Sequence, residues 1–164
     1  MMRYLLLILT FFILSLMQAT FFTTPVRPDF ILIMVICISI YEPPERALFL
    51  SFTAGLIEGL FFTDIWGIYL ISLSIISFLI ILFKKRIFYE NIPLLFPVTS
   101  GIIFTIVNEL IFYVFSFLYP NIQFYIFEDI IYRLILNTVI IIPFCYLYDY
   151  LFSREDKLKF YNRF

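Results

Sequence analysis

Uncharged apolar runs, each closed by a short cluster of prolines or charges, divide the chain into six segments at about 4–22, 28–41, 47–63, 65–83, 94–119 and 130–152. A helix needs about 20 apolar residues to cross the hydrocarbon core of a bilayer, so the pattern predicts six transmembrane helices. The first run carries only Thr10, Ser15, Gln18 and Thr20 as polar interruptions. It is longer than a typical signal-peptide core, and Met17 stands where a cleavage site would place a small residue; a retained signal-anchor is expected. The second run, Phe30 to Tyr41, is the shortest, and Pro28-Asp29 opens it. Both residues suit a first helical turn, where proline loses no hydrogen bond and an acid meets the positive end of the helix dipole.

A segment that short also suits a re-entrant hairpin, and charge decides between the two. If it crosses, Arg3, Arg46, Lys84, Lys85, Arg86, Arg154, Lys157, Lys159 and Arg163 share one side, leaving Arg27 and Arg133 opposite. If it does not, only Arg3 and Arg133 remain on the cytoplasmic side, against the positive-inside rule. The expectation is a single integral membrane domain over 1–164, with six spans and both termini cytoplasmic. No loop has room for a second domain. The stretch 120–129 (PNIQFYIFED) is expected along the membrane interface, and the tail 153–164 reads as a solvated helix end with aromatic anchors or as a docking segment.

Composition agrees with lipid as the surroundings. Of 164 residues, 63% are hydrophobic, 22% aromatic and 14% charged, against about 45–50% apolar and about 25% charged in soluble domains. A soluble globular domain is excluded, because too few polar residues remain to coat it. With no histidine, a histidine base, a haem ligand and a histidine-containing zinc site are excluded as well. Cys37 and Cys145 lie inside apolar runs and read as small buried hydrophobes, with no disulfide or metal framework. A formal net charge of −1, with no basic stripe, argues against nucleic acid as a partner. No nucleophile with an adjacent base, phosphate loop or metal cluster is visible, so neither an enzyme nor a cofactor is expected.

The polar residues inside the runs carry the remaining information. Ser51, Gly55, Gly59, Thr63 and then Gly67 recur every four residues, a small-residue ridge of the kind that lets two helix backbones approach closely in lipid. Its partner is another helix of the chain or a second protein. Glu58 lies beside this ridge, with Asp64 further outward. In the fifth run Gly101, Thr105, Asn108, Glu109 and Ser116 fall on one face, and in the sixth Arg133 and Asn137 share a face. Ionisable groups are costly in hydrocarbon, so Glu58, Asn108, Glu109, Arg133 and Asn137 are expected to converge inward. At about 1.5 Å per residue, Glu58 and Arg133 both lie roughly 6–8 Å below the outer end of their helices and Glu109 about 15 Å below its own. A Glu58–Arg133 pair is expected, with Glu109 deeper and either protonated or hydrogen-bonded to Asn108 or Asn137. Such a cluster serves as a polar clamp between helices, as a small-molecule or ion pocket, or as a partner-facing site.

Taken together, Arg27-Pro28-Asp29, the turn at Pro43-Pro44, Gly55-Leu56-Ile57, and Thr63-Asp64-Ile65-Trp66-Gly67-Ile68-Tyr69 resemble the MreD family of rod shape-determining proteins. The family-motif positions are Pro28, Asp29, Gly55, Asp64 and Gly67. One position departs: where the family commonly has an acid after its Gly-Leu-Leu start, this chain has Gly59, preceded by Glu58. The resemblance implies a non-enzymatic subunit of the bacterial cell-wall elongation machinery in the cytoplasmic (inner) membrane. It also implies binding to an MreC-like bitopic protein and, through it, a link from MreB filaments to RodA and a penicillin-binding protein. The implied fold is similar to the substrate-binding subunit of energy-coupling-factor transporters, six helices around an outward-facing hollow. That similarity supplies the competing reading, a vitamin-binding transporter subunit. A homodimer is a further reading.

Overall fold

The computed structural model describes residues 2–21, 28–62, 67–87, 95–118, 127–148 and 150. They form six α-helices: α1 (Met2–Phe21), α2 (Phe30–Tyr41), α3 (Pro44–Phe62), α4 (Gly67–Ile87), α5 (Leu95–Leu118) and α6 (Phe127–Tyr148). No strand occurs among the described residues. By length and composition, three stretches suffice to cross a membrane: Gly67–Lys84, Leu95–Phe117 and Ile130–Tyr148. Over the described residues the protein is all-α, with the apolar helices of a membrane protein.

The shortest helix is the centre of the bundle. α2 packs against all five other helices, which follow one another around it in the order α1, α3, α4, α5, α6. Every side chain from Ile31 to Ile40 is buried. A helix apolar on all faces belongs in a core, and at about 1.5 Å per residue its 12 residues reach only about 18 Å, well short of a bilayer's apolar thickness. Neighbouring helices, rather than lipid, therefore surround it.

Local chemistry fixes both ends of α2. Asp29 is its N-cap: the carboxylate Oδ1 accepts from the Leu32 amide at 2.9 Å, while the Asp29 carbonyl accepts from Ile33. It thus caps the helix from outside instead of forming part of the first turn. At the far end Glu42 closes the helix, its amide donating to the Ile38 carbonyl at 2.8 Å. Pro43 and Pro44 cannot continue α2, and Pro44 opens α3, the position where a missing donor is harmless.

Outward faces of the surrounding helices carry Leu5, Leu9, Phe49, Leu60, Leu110, Phe117 and Val139, all exposed. Their only suitable solvent is lipid. Inward, α3 and α4 approach most intimately at Gly55, where a Cβ would lie 2.5 Å from the Leu70 Cα. α2 and α6 are also joined: Cys37 and Cys145 form a disulfide across 108 residues of chain, with Cα atoms 5.3 Å apart. Both cysteines are buried as expected, but they are partners as well as fillers, a proximity that two isolated cysteines in apolar runs do not disclose.

Candidate functional site

The α5–α6 seam is built on a strict register. Gly101 faces Ile141, whose Cδ1 would lie 3.0 Å from a Cβ on the glycine. One turn along, Asn137 Nδ2 donates to Thr105 Oγ1 at 3.2 Å. One turn further, Arg133 Nη1 donates to Glu109 Oε1 at 2.6 Å. Each step advances four residues on α5 and retreats four on α6, as antiparallel neighbours require when both present an i, i+4 row. Packing is tightest at the glycine, and polarity rises toward the ion pair.

Asn137 also ties this seam to the central helix, because its Oδ1 accepts from the Asp29 amide at 2.8 Å. An N-cap amide is one of the backbone donors a helix start leaves over, and here a side chain of α6 takes it. Asp29 thus connects α2 to α6 through its backbone while its carboxylate serves its own helix. On the opposite flank of α5, Asn108 Oδ1 accepts from Ser72 Oγ of α4. Deeper in the bundle Ser39 Oγ reaches both the Val35 carbonyl at 2.7 Å and Ser77 Oγ of α4 at 2.8 Å. Buried polar groups are stable in hydrocarbon only when paired in this way.

Four of the five residues expected in the intramembrane cluster fall in these contacts. The expected Arg133 geometry is amended: its short ion pair runs to Glu109, with side chains 18% and 15% exposed. Glu58, 1% exposed, borders the same small cavity as Arg133, together with Gln18, Asp29 and Tyr69. The depth estimate placed Glu109 too far from Arg133 because α6 begins at Phe127, a turn before the expected 130, and because an arginine side chain spans more than a turn. Ser116 stays outside the cluster, bonded to the Tyr113 carbonyl of its own helix at 2.6 Å.

The small-residue ridge divides. Ser51 is buried, with Oγ returned to the Ala47 carbonyl at 2.7 Å, and Gly55 and Gly59 are buried beside it. Gly67 is not on this ridge: it opens α4, and nothing lies within 4 Å of a Cβ placed on it. The four-residue recurrence in the sequence passes from α3 to a residue of α4, so the face is not shared. Thr63 and Asp64 lie outside the described residues, as do Arg27, the stretch 119–126 and the tail 151–164. Pro28, another family-motif position, is buried before α2.

Two contributors lacked a distinctive sequence signal. Gln18 and Ser72 are single polar residues in apolar runs, and only the general cost of an amide or hydroxyl in hydrocarbon marks them. A second polar centre lies at the opposite end of α2. There buried Glu42 accepts from Tyr148 OH at 2.7 Å, and its backbone carbonyl accepts from Lys84 Nζ at 3.4 Å. Arg46 Nη1 lies 3.9 Å from the Glu42 carboxylate and its guanidinium 5.7 Å over the Tyr4 ring. Among the described residues, no group of three or more histidine, cysteine, aspartate or glutamate residues could hold a metal ion.

Compared with known families, the chain matches the rod shape-determining protein MreD over residues 1–152. It belongs to the MreD family. No curated protein and no solved structure matches it. Membership carries a role in rod-shape determination, and the match includes the polar seam, the Gly55 contact and the Glu42 centre.

Proposed function

We propose that this chain is a non-enzymatic membrane subunit of the bacterial cell-wall elongation complex. It binds an MreC-like bitopic protein and so helps connect MreB filaments to RodA and a penicillin-binding protein. It acts as a multi-pass protein of the cytoplasmic (inner) membrane with both termini cytoplasmic, and its six helices adopt an arrangement similar to the substrate-binding subunit of energy-coupling-factor transporters. The observation that carries this reading is the family match along 1–152. The polar interior supports it: Asp29, Thr105, Glu109, Arg133 and Asn137 join helix to helix, as a scaffold requires. The competing vitamin-binding reading needs a pocket of about 300–1,000 Å³, whereas the cavity among the converging polar residues measures about 20 Å³.

Co-purification tests the proposal. The tagged full chain, extracted from its own membrane in mild detergent, is expected to retain an MreC-like protein with a single transmembrane segment. Recovery of intact chain without such a protein, or with the energising subunits of a vitamin transporter instead, overturns it. In a rod-shaped host, depletion is expected to round the cells; cells that stay rod-shaped while losing uptake of one vitamin overturn the proposal as well.

A further inference from the structure

The helices around α2 form an open arc. Consecutive members pack together, whereas α1 and α6, at its two ends, share little backbone contact among the described residues. The polar cavity is lined from both of these ends. Gln18 lines it from α1, Asp29 from the start of α2, Glu58 from α3, Tyr69 from α4 and Arg133 from α6.

Gln18 is the informative member. It is 3% exposed, and its Oε1 has no hydrogen-bond partner in the protein. A buried amide oxygen left in that state costs roughly 1–3 kcal/mol, so its place beside a polar cavity calls for a ligand that donates a hydrogen. Glu58 and Arg133, which also line the cavity, have partners of their own, and each has one further buried polar atom without a hydrogen bond, Oε2 and Nε respectively. The lining therefore holds both acceptors, on Gln18, Asp29 and Glu58, and donors, on Arg133 and Tyr69. Its volume of about 20 Å³ exceeds the roughly 10–15 Å³ that one water requires.

We infer that this cavity binds one structural water molecule, which donates to Gln18 Oε1 and Glu58 Oε2 and accepts from Arg133 Nε. The water closes the polar circuit across the open end of the arc, joining α1 to the α5–α6 seam through the Arg133 guanidinium. A bare metal cation would meet the Arg133 guanidinium as well as the Asp29 and Glu58 carboxylates, and it has no hydrogen to give the Gln18 oxygen. Water has hydrogens for two acceptors and a lone pair for a donor.

Proton-detected solid-state NMR of the full chain in lipid bilayers tests this directly, following magnetisation transfer from water to side-chain amides. Asn108 is the internal reference, since its amide is equally buried and its oxygen is bonded to Ser72. Transfer to the Gln18 amide is expected to be several-fold faster than to Asn108, and Gln18→Met identifies the signal by removing it. Equal, slow transfer to both overturns the inference. Replacing choline chloride with sodium chloride is expected to leave the Gln18 signal in place; a sodium-dependent shift overturns the water and assigns the site to a cation.

Discussion

Arg133 on α6 donates to Glu109 on α5 at 2.6 Å, and this bond is one rung of a ladder that continues through Asn137–Thr105 to Ile141–Gly101. The ion pair therefore sets the depth at which the two helices meet, as well as neutralising two charges in an apolar medium. Such a pair adds little net stability against an apolar replacement, but removing one member takes a charge-assisted hydrogen bond from the other and costs about 1.5–3 kcal/mol. Glu109→Leu is expected to destabilise the protein strongly, while Glu109→Gln, which still accepts from the guanidinium, falls well short of that. The double variant Glu109→Leu/Arg133→Leu is expected to recover most of the loss. Denaturant titration in mixed micelles measures the cycle; a loss in the double variant equal to the sum of the two single losses would show that the two residues act independently.

The same register explains how far the site is legible in the sequence. Spacing at i, i+4 establishes that Gly101, Thr105 and Glu109 share a face, and that Arg133 and Asn137 do too. It does not say which residue of one row lies opposite which residue of the other, because that depends on where each helix begins. A shift of one turn moves Arg133 between possible carboxylates. The central place of α2 is legible only in part: its shortness and all-round apolarity mark it as unusual, yet only packing shows that five helices surround it. The Cys37–Cys145 contact joins residues 108 apart, and no local pattern carries that information.

Asp29 holds two helices with one residue, its carboxylate capping α2 and its amide bonded to Asn137. Substitution separates these roles. Asp29→Asn keeps a capping oxygen and the backbone bond, so its effect is expected to be small, whereas Asp29→Ala loses the cap and costs about 1 kcal/mol. Thermal denaturation in detergent compares them. If alanine is tolerated as well as asparagine, the cap is dispensable and packing alone fixes the start of α2.

Glu42 provides a parallel case at the other end of the helix. Tyr148→Phe preserves the stack on Tyr41, whose ring centroid lies 5.9 Å away, and removes only the hydroxyl that donates to the buried carboxylate. A hydrogen bond to a charged group contributes about 1.5–3 kcal/mol, so a measurable fall in denaturation midpoint is expected with the helix content retained. Unchanged stability would mean that Arg46 and Lys84 already satisfy the Glu42 end of α2 without the tyrosine.

The three described glycines of known surroundings form a graded series. At Gly55 a methyl group meets backbone, the Leu70 Cα at 2.5 Å and the Leu70 amide nitrogen at 2.9 Å, so α3 and α4 must separate along their contact. Gly101→Ala meets the Ile141 side chain at 3.0 Å, where a rotamer change relieves the clash, and Gly67→Ala enters open space. Overpacking typically costs about 1–3 kcal/mol. The expected order of destabilisation is therefore Gly55→Ala well above Gly101→Ala, with Gly67→Ala close to neutral. Partner binding adds a second dimension to the series. Because Gly55 is occupied by α4 of its own chain, loss of an MreC-like partner in Gly55→Ala is expected to track loss of folding. If Gly55→Ala retains its thermal stability but no longer co-purifies the partner, the ridge is an intermolecular contact, and the α3–α4 packing at Leu70 is not what its glycine is for.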